Sequence, residues 1–207
     1  MNEYTTIAAP AEYELIEKKS RFISYAFPVC DEASARAHID AIKAEHRLAR
    51  HHVHAYVLKE NNITRSSDDG EPAKTAGLPT LEVLTHAQIF DCLIVTVRYF
   101  GGILLGTGGL VRAYGAAAQG ALDVAVKARY SLCKDCFFEI PYCRLDEFNY
   151  ALENMPLQIL NKDYAANVSV HLRARLEDIP RFEQFLVSFG RGQIQCSISE
   201  EHWALLC

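Results

Sequence analysis

Cys92-Leu93-Ile94-Val95-Thr96-Val97 leads into Arg98-Tyr99-Phe100-Gly101-Gly102-Ile103-Leu104-Leu105-Gly106-Thr107-Gly108-Gly109, and from Leu110 the residues Tyr114, Ala117, Ala118, Ala121 and Ala125 follow at helical spacing. The first run is short, apolar and β-branched, the pattern of a strand buried on both faces. Five glycines, Gly101, Gly102, Gly106, Gly108 and Gly109, then punctuate one turn. Glycine at that density marks positive φ or a close backbone approach. The small residues of the last run let a helix sit close to a sheet. The reading is strand, glycine turn, helix.

The turn has two meanings. Amides at a helix N-terminus without side-chain bulk receive an anion such as phosphate, and Arg98 and Arg112 flank it with guanidinium groups suited to bidentate contact. The alternative is a tight strand-to-helix connection packed against its neighbours. The named nucleotide motifs are absent. A P-loop places Gly-Lys-Ser/Thr four residues after its first glycine; Thr107 stands where the lysine belongs. The dinucleotide fingerprint needs a third glycine where Val111 stands. A Walker-type NTPase and a Rossmann dehydrogenase are excluded.

Working outward toward the N-terminus, Tyr13 to Lys19 and Arg21 to Phe27 read as an antiparallel pair of strands. Asp31 caps a helix reaching about His46, with Ala35, Ile39 and Ile42 on one face. His52 to Lys59 reads as a strand, Glu60 to Thr75 as a long polar loop, and Pro79 to Ala87 as a short helix with proline in its first turn. The order ββαβαβα makes an α+β domain. Beyond the long helix, Cys136 to Tyr142, Leu145 to Asn154, Leu157 to Lys162, Ala165 to Leu176, Ile179 to Phe189 and Ile194 to Ser199 read as βαββαβ, the ferredoxin-like arrangement. A boundary is expected near Arg129 to Asp135, giving domains 1–130 and 135–207.

The 207 residues are half hydrophobic and carry a net charge of −5, shared by both halves: up to Lys127 there are 13 Lys and Arg against 15 Asp and Glu, and beyond it 8 against 11. No basic domain announces nucleic acid, so any RNA contact is a local patch. No basic-then-apolar leader opens the chain, and no run approaches the roughly 18 apolar residues of a membrane helix. A cytoplasmic protein with no membrane partner is expected. Seven cysteines without regular spacing fit a reducing compartment. Cys133-Lys134-Asp135-Cys136 has CxxC spacing, but it lies in a strand-like segment and lacks a second pair of zinc ligands; buried thiols are the simpler reading.

Arg47, Arg50, His51, His52 and His54 form the densest cationic and imidazole cluster. Its readings are a solvated helix end followed by a strand, or a phosphate-contact patch extending the glycine turn. Asp68, Asp69 and Glu71 form either an Asp/Gly/Pro turn or ligands for Mg²⁺ bridging to a phosphate. No HExxH, no Gly-x-Ser-x-Gly and no other catalytic set is visible. Neither a cofactor nor a resident metal is expected.

Asp68-Asp69-Gly70-Glu71-Pro72 with Thr75-Ala76-Gly77 and Pro79, then Val97-Arg98-Tyr99-Phe100-Gly101-Gly102, Leu105-Gly106 and Gly108-Gly109-Leu110-Val111-Arg112-Ala113-Tyr114, resemble the signature of the IMPACT/YigZ family. Lys74 departs from it, adding a charge where the family carries a small residue or glycine. The resemblance implies an N-terminal domain of the ribosomal protein S5 domain 2-like type, similar to domain IV of elongation factor G. It also implies a ferredoxin-like C-terminal domain similar to domain V of that factor. Those modules sit against ribosomal RNA, and since neither is that factor's GTPase domain, no nucleotide hydrolysis is expected of them. The expectation is a non-enzymatic RNA- or ribosome-associated protein, a candidate regulator of translation. It would contact phosphate through Arg98, Arg112 and the turn glycines, with Arg47, Arg50 and His51 as an extension. An enzyme using the turn and the acidic loop as a phosphate and Mg²⁺ pocket, and a protein-interaction module, are the alternatives.

Overall fold

The computed structural model describes residues 2–153 and 155–205. The chain divides into two compact units, Tyr4–Ala128 and the residues on either side of it.

In the first unit the elements are β1 (Glu3–Ile7), β2 (Ala11–Glu17), β3 (Ser20–Pro28), α1 (Glu32–Glu45), β4 (His51–Leu58), β5 (Ile63–Ser67), α2 (Gly77–His86), β6 (Cys92–Tyr99) and α3 (Thr107–Val124). The sheet is antiparallel, in the order β2-β3-β6-β4-β5. Residues 92–98 of β6 are all buried, because helices cover the sheet on both faces. Leu93, Val95 and Val97 pack with Ala35, Ile39 and Ile42 of α1, while Cys92 and Ile94 pack with Leu84 of α2 and Ala118, Ala121 and Leu122 of α3. The expected strand, turn and helix are all present, as is the Asp31 cap, whose side chain accepts from Ser34 N at 2.6 Å.

Two strands of this unit escape the sequence reading. β1 is held by a bridge between Thr5 and Ile89 and buries Ile7 in the α2–α3 side of the core. β5 lies inside the stretch read as a polar loop. It pairs with β4 from Leu58↔Ile63 to His54↔Ser67, after a turn in which Asn61 and Asn62 take φ of 56° and 51°, a conformation asparagine tolerates. An edge strand with a solvated face can be polar throughout, so it leaves no alternation to detect.

The second unit contains β7 (Lys127–Pro141), α4 (Leu145–Leu152), β8 (Leu157–Tyr164), β9 (Asn167–Arg175), α5 (Ile179–Gly190), β10 (Cys196–Ile198) and β11 (His202–Leu205). Its antiparallel sheet runs β10-β7-β9-β8, and β11 continues along the β10 edge of β7. That is the ferredoxin-like order expected, with β11 added. The segment 129–135, read as a boundary, is part of β7. Phe138, Ile140, Val170 and Leu172 face Phe148 of α4 and Phe182 and Phe189 of α5, closing a core of its own.

Candidate functional site

The glycine turn is built by two distinct demands. A Cβ on Gly101 would lie 2.0 Å from the Lys19 carbonyl carbon and oxygen, so only glycine lets this turn pass the β2–β3 hairpin. Gly102 and Gly106 take φ of +85° and +71° with open space around them; there the demand is conformational. Gly108 and Gly109 lie inside α3, in its first turn. Gly106 is the N-cap and offers no side chain, and no acidic residue stands in the first turn. The leading N–H groups, which in any α-helix lack intrahelical acceptors, therefore receive no side-chain cap either. Exposed Arg112, one turn on, lies against this first turn: its Nη1 is 3.7 Å from where a Cβ on Gly108 would stand.

Arg98 requires a correction. It does not flank the turn as an open phosphate clamp, for its side chain is only 8% exposed. Nη1 donates to Glu71 Oε1 at 2.7 Å, Tyr114 Oη donates to the same oxygen at 2.7 Å, and the guanidinium lies over the rings of Phe22 and Phe100. Burial above all, then the Glu71 carboxylate, raises the Tyr114 phenol well above its ordinary 10.0, so it stays a neutral donor. The physical reason is alternation: Arg98 is on the face of β6 that looks toward α3, where a charge has to be paired.

Of the two readings of the acidic loop, the structure shows the turn. Its three carboxylates turn to separate partners. Asp68 accepts from the N–H groups of Lys74, Ala76 and Gly77 at 2.8, 3.0 and 2.8 Å. Asp69 accepts from His52 N at 2.7 Å and from Lys43 Nζ at 3.4 Å, and Glu71 holds Arg98. Among the described residues no three His, Cys, Asp or Glu converge on a position for a metal ion. The loop ties β4, β6 and α2 together. Lys74 sits within it at φ 63°, the left-handed region where glycine is at ease.

The cationic cluster is partly brought to the turn. Exposed Arg50, with His51 and Leu48, lines a cavity of about 710 Å³ whose other walls are Arg98, Tyr99, Phe100 and Leu104. His51 Nδ1 donates to Asp69 O at 2.9 Å, which fixes the ring. Arg47 is exposed and donates from Nε to Ala44 O at 3.0 Å. His52 and His54 bond the carbonyl oxygens of His46 and His52. Cys133 and Cys136 fall on opposite faces of β7, since strand side chains alternate, and so do not act as a CxxC pair. The apolar component of the site was missed from sequence: Leu48 is 91% and Leu104 82% exposed, with Phe100 and Ile103 beside them. The available signal was bulky apolar residues inside Gly-rich and Arg/His-rich segments.

The Impact N-terminal domain model matches residues 18–122, and the model for a domain of unknown function (DUF1949) matches residues 138–193. The IMPACT family member YigZ of Escherichia coli (strain K12) is 35% identical over 204 residues, 97% of this chain and 100% of that protein. An IMPACT family member of Haemophilus influenzae is 38% identical over 207 residues, 97% of this chain and 98% of that one. The protein IMPACT homolog of Saccharomyces cerevisiae is 30% identical over 98 residues, 44% of this chain and 37% of its own length. A crystal structure described as that of a hypothetical protein superposes with a TM-score of 0.64 at 35% identity, covering 98% of this chain and 100% of that one. Two motif-bearing loops, both domain models and near-complete alignment agree: this chain belongs to the IMPACT family.

Proposed function

We propose that the chain is a non-enzymatic RNA- or ribosome-associated protein acting in the cytoplasm, with a role in regulating translation. The observation that carries the reading is exposed Arg112 lying against Gly108 in the uncapped, glycine-bearing first turn of α3. A phosphate there receives backbone N–H groups, the helix dipole and a guanidinium together. Next to it, Phe100 and Leu104 supply surface for an unpaired base, and Arg50 supplies a second cation across the same cavity.

The test is co-sedimentation with ribosomes at low and high salt, comparing wild type with Arg50→Ala/Arg112→Ala. Arg98 is left intact because its removal would strand Glu71 in the core. Salt-sensitive co-sedimentation lost in the double variant is the expected result, since displaced counterions drive phosphate contacts. Equal retention of both proteins, or no co-sedimentation at any salt, overturns the reading.

A further inference from the structure

The second unit has a sheet face that α4 and α5 leave open, and the register arranges its side chains in rows. Ser197 pairs with Phe137, Phe137 with His171, and His171 with Asn161. One row along, Glu139 and Asp163 both pair with Ser169 from opposite sides. In the row on the other side, Asp135 pairs with Arg173. All members of a row point to the same face, and successive rows on one face are about 7 Å apart.

These rows differ in what they offer. Arg173 grips Asp135 with Nε at 2.7 Å and Nη2 at 3.0 Å, and His171 Nε2 adds a bond to the same carboxylate at 2.9 Å. That row is internally neutralised. The middle row presents Phe137, 44% exposed, its ring stacked on His171 with centroids 4.3 Å apart. The remaining row presents two exposed carboxylates whose bonds are to neutral groups: Asn167 and Ser169 donate to Glu139, and Asn161 donates to Asp163. Phe137, Glu139, Asp163 and His171 all line one open cavity of about 1060 Å³. The cation on its wall, Arg144, is already held by Glu147, by the Phe189 carbonyl and by the Phe189 ring.

An exposed aromatic on a central strand of this fold is where single-stranded RNA stacks in other proteins, but two uncompensated carboxylates beside it repel a phosphate backbone. The same pair attracts a cation. We propose that this face is a docking site for an arginine-bearing protein segment, one guanidinium lying on Phe137 and pairing with Glu139 or Asp163, and a second basic side chain taking the other carboxylate. Arginine suits it better than lysine, because a planar guanidinium stacks on a ring and meets a carboxylate along two bonds at once.

The experiment is fluorescence anisotropy of a labelled arginine–glycine repeat peptide titrated with the full chain, with a labelled oligouridylate in parallel. The variants are Phe137→Ala, Glu139→Gln/Asp163→Asn and Arg50→Ala/Arg112→Ala. Peptide affinity falls about tenfold in each of the first two, the scale of a lost cation–π contact in one and of lost guanidinium–carboxylate pairs in the other. It is unchanged in the third, so this result is separable from the RNA reading. The carboxamide variant keeps shape and hydrogen bonding, so it answers the question even if Phe137→Ala disturbs the sheet. The proposal is overturned by any of four results: no peptide binding at millimolar protein, peptide binding indifferent to both face variants, oligouridylate binding that is lost with Phe137, or a self-association that Phe137→Ala abolishes.

Discussion

At the scale of single residues, the signature motif turns out to be largely architectural. Glu71 accepts from both Arg98 and Tyr114 in the interior of the first unit. Glu71→Ala leaves a guanidinium in the core without its anion, and breaking a buried pair from one side costs about 3 to 5 kcal/mol. Tyr114→Phe removes one hydrogen bond and leaves the ion pair standing, at a cost of about 1.5 to 3 kcal/mol for a bond to a charged acceptor. Urea denaturation of both variants checks the ranking; equal losses would show that Arg98 and Glu71 do not form the pair described. Asp68 gives a pH signature. Burial raises its carboxyl, but the N–H groups of Gly77, Lys74 and Ala76 outweigh this and hold it below its ordinary 3.8. The unfolded chain then takes up this proton at a higher pH than the folded one. The contribution is complete above the ordinary carboxylate range and is lost as pH falls through the lower folded value. In Asp68→Asn the urea midpoint should therefore fall less steeply with acid below about pH 4 than in wild type; parallel curves would assign the acid sensitivity elsewhere.

At the scale of elements, α3 shows how one residue type carries opposite consequences. Gly115 has nothing within 4 Å of an added Cβ, whereas at Gly120 that atom would lie 2.2 Å from the Tyr13 ring. Gly115→Ala should stabilise by about 0.5 to 1 kcal/mol through helix propensity. Gly120→Ala should destabilise by about 1 to 3 kcal/mol, because the ring has to leave its place on the helix. Thermal melts of the two variants shifting in the same direction would show that α3 does not pack on β2 as described. Elements with strong periodicity were legible in the sequence: β6 and α3 from their apolar patterns, α1 from its cap and buried stripe, and the βαββαβ order from alternating periods. What escaped was structure without an apolar signature, such as β5 with its solvated edge, and structure fixed by pairing, such as the N-terminal half of β7. For the site, the glycines and arginines were visible as residue types. Sequence spacing did not show which face of β6 carries Arg98, nor that Leu48 and Leu104 come to one cavity, because both depend on sheet register.

At the scale of the whole molecule, charge limits how RNA can be held. The chain carries −5 in total, so a phosphate backbone approaching an arbitrary surface is repelled, and the proposed RNA contact has only a few exposed cations to draw on. Arg112 on α3, Arg50 on the cavity beside the turn and Arg47 just after α1 are exposed, while Arg98 is consumed by Glu71. With three phosphates neutralised, the logarithm of single-stranded RNA affinity should fall against the logarithm of salt with a slope of about −2, from roughly 0.7 per phosphate. Removing Arg112 should make the slope shallower by about 0.7 and weaken binding similarly across sequences, as loss of a phosphate contact does. Replacing Phe100 with alanine should weaken binding with the slope unchanged, since stacking releases no counterions. Filter binding over a salt series separates these effects. A wild-type slope near −6 would require about three times the cations this surface displays, and would place the interface on some other part of the molecule.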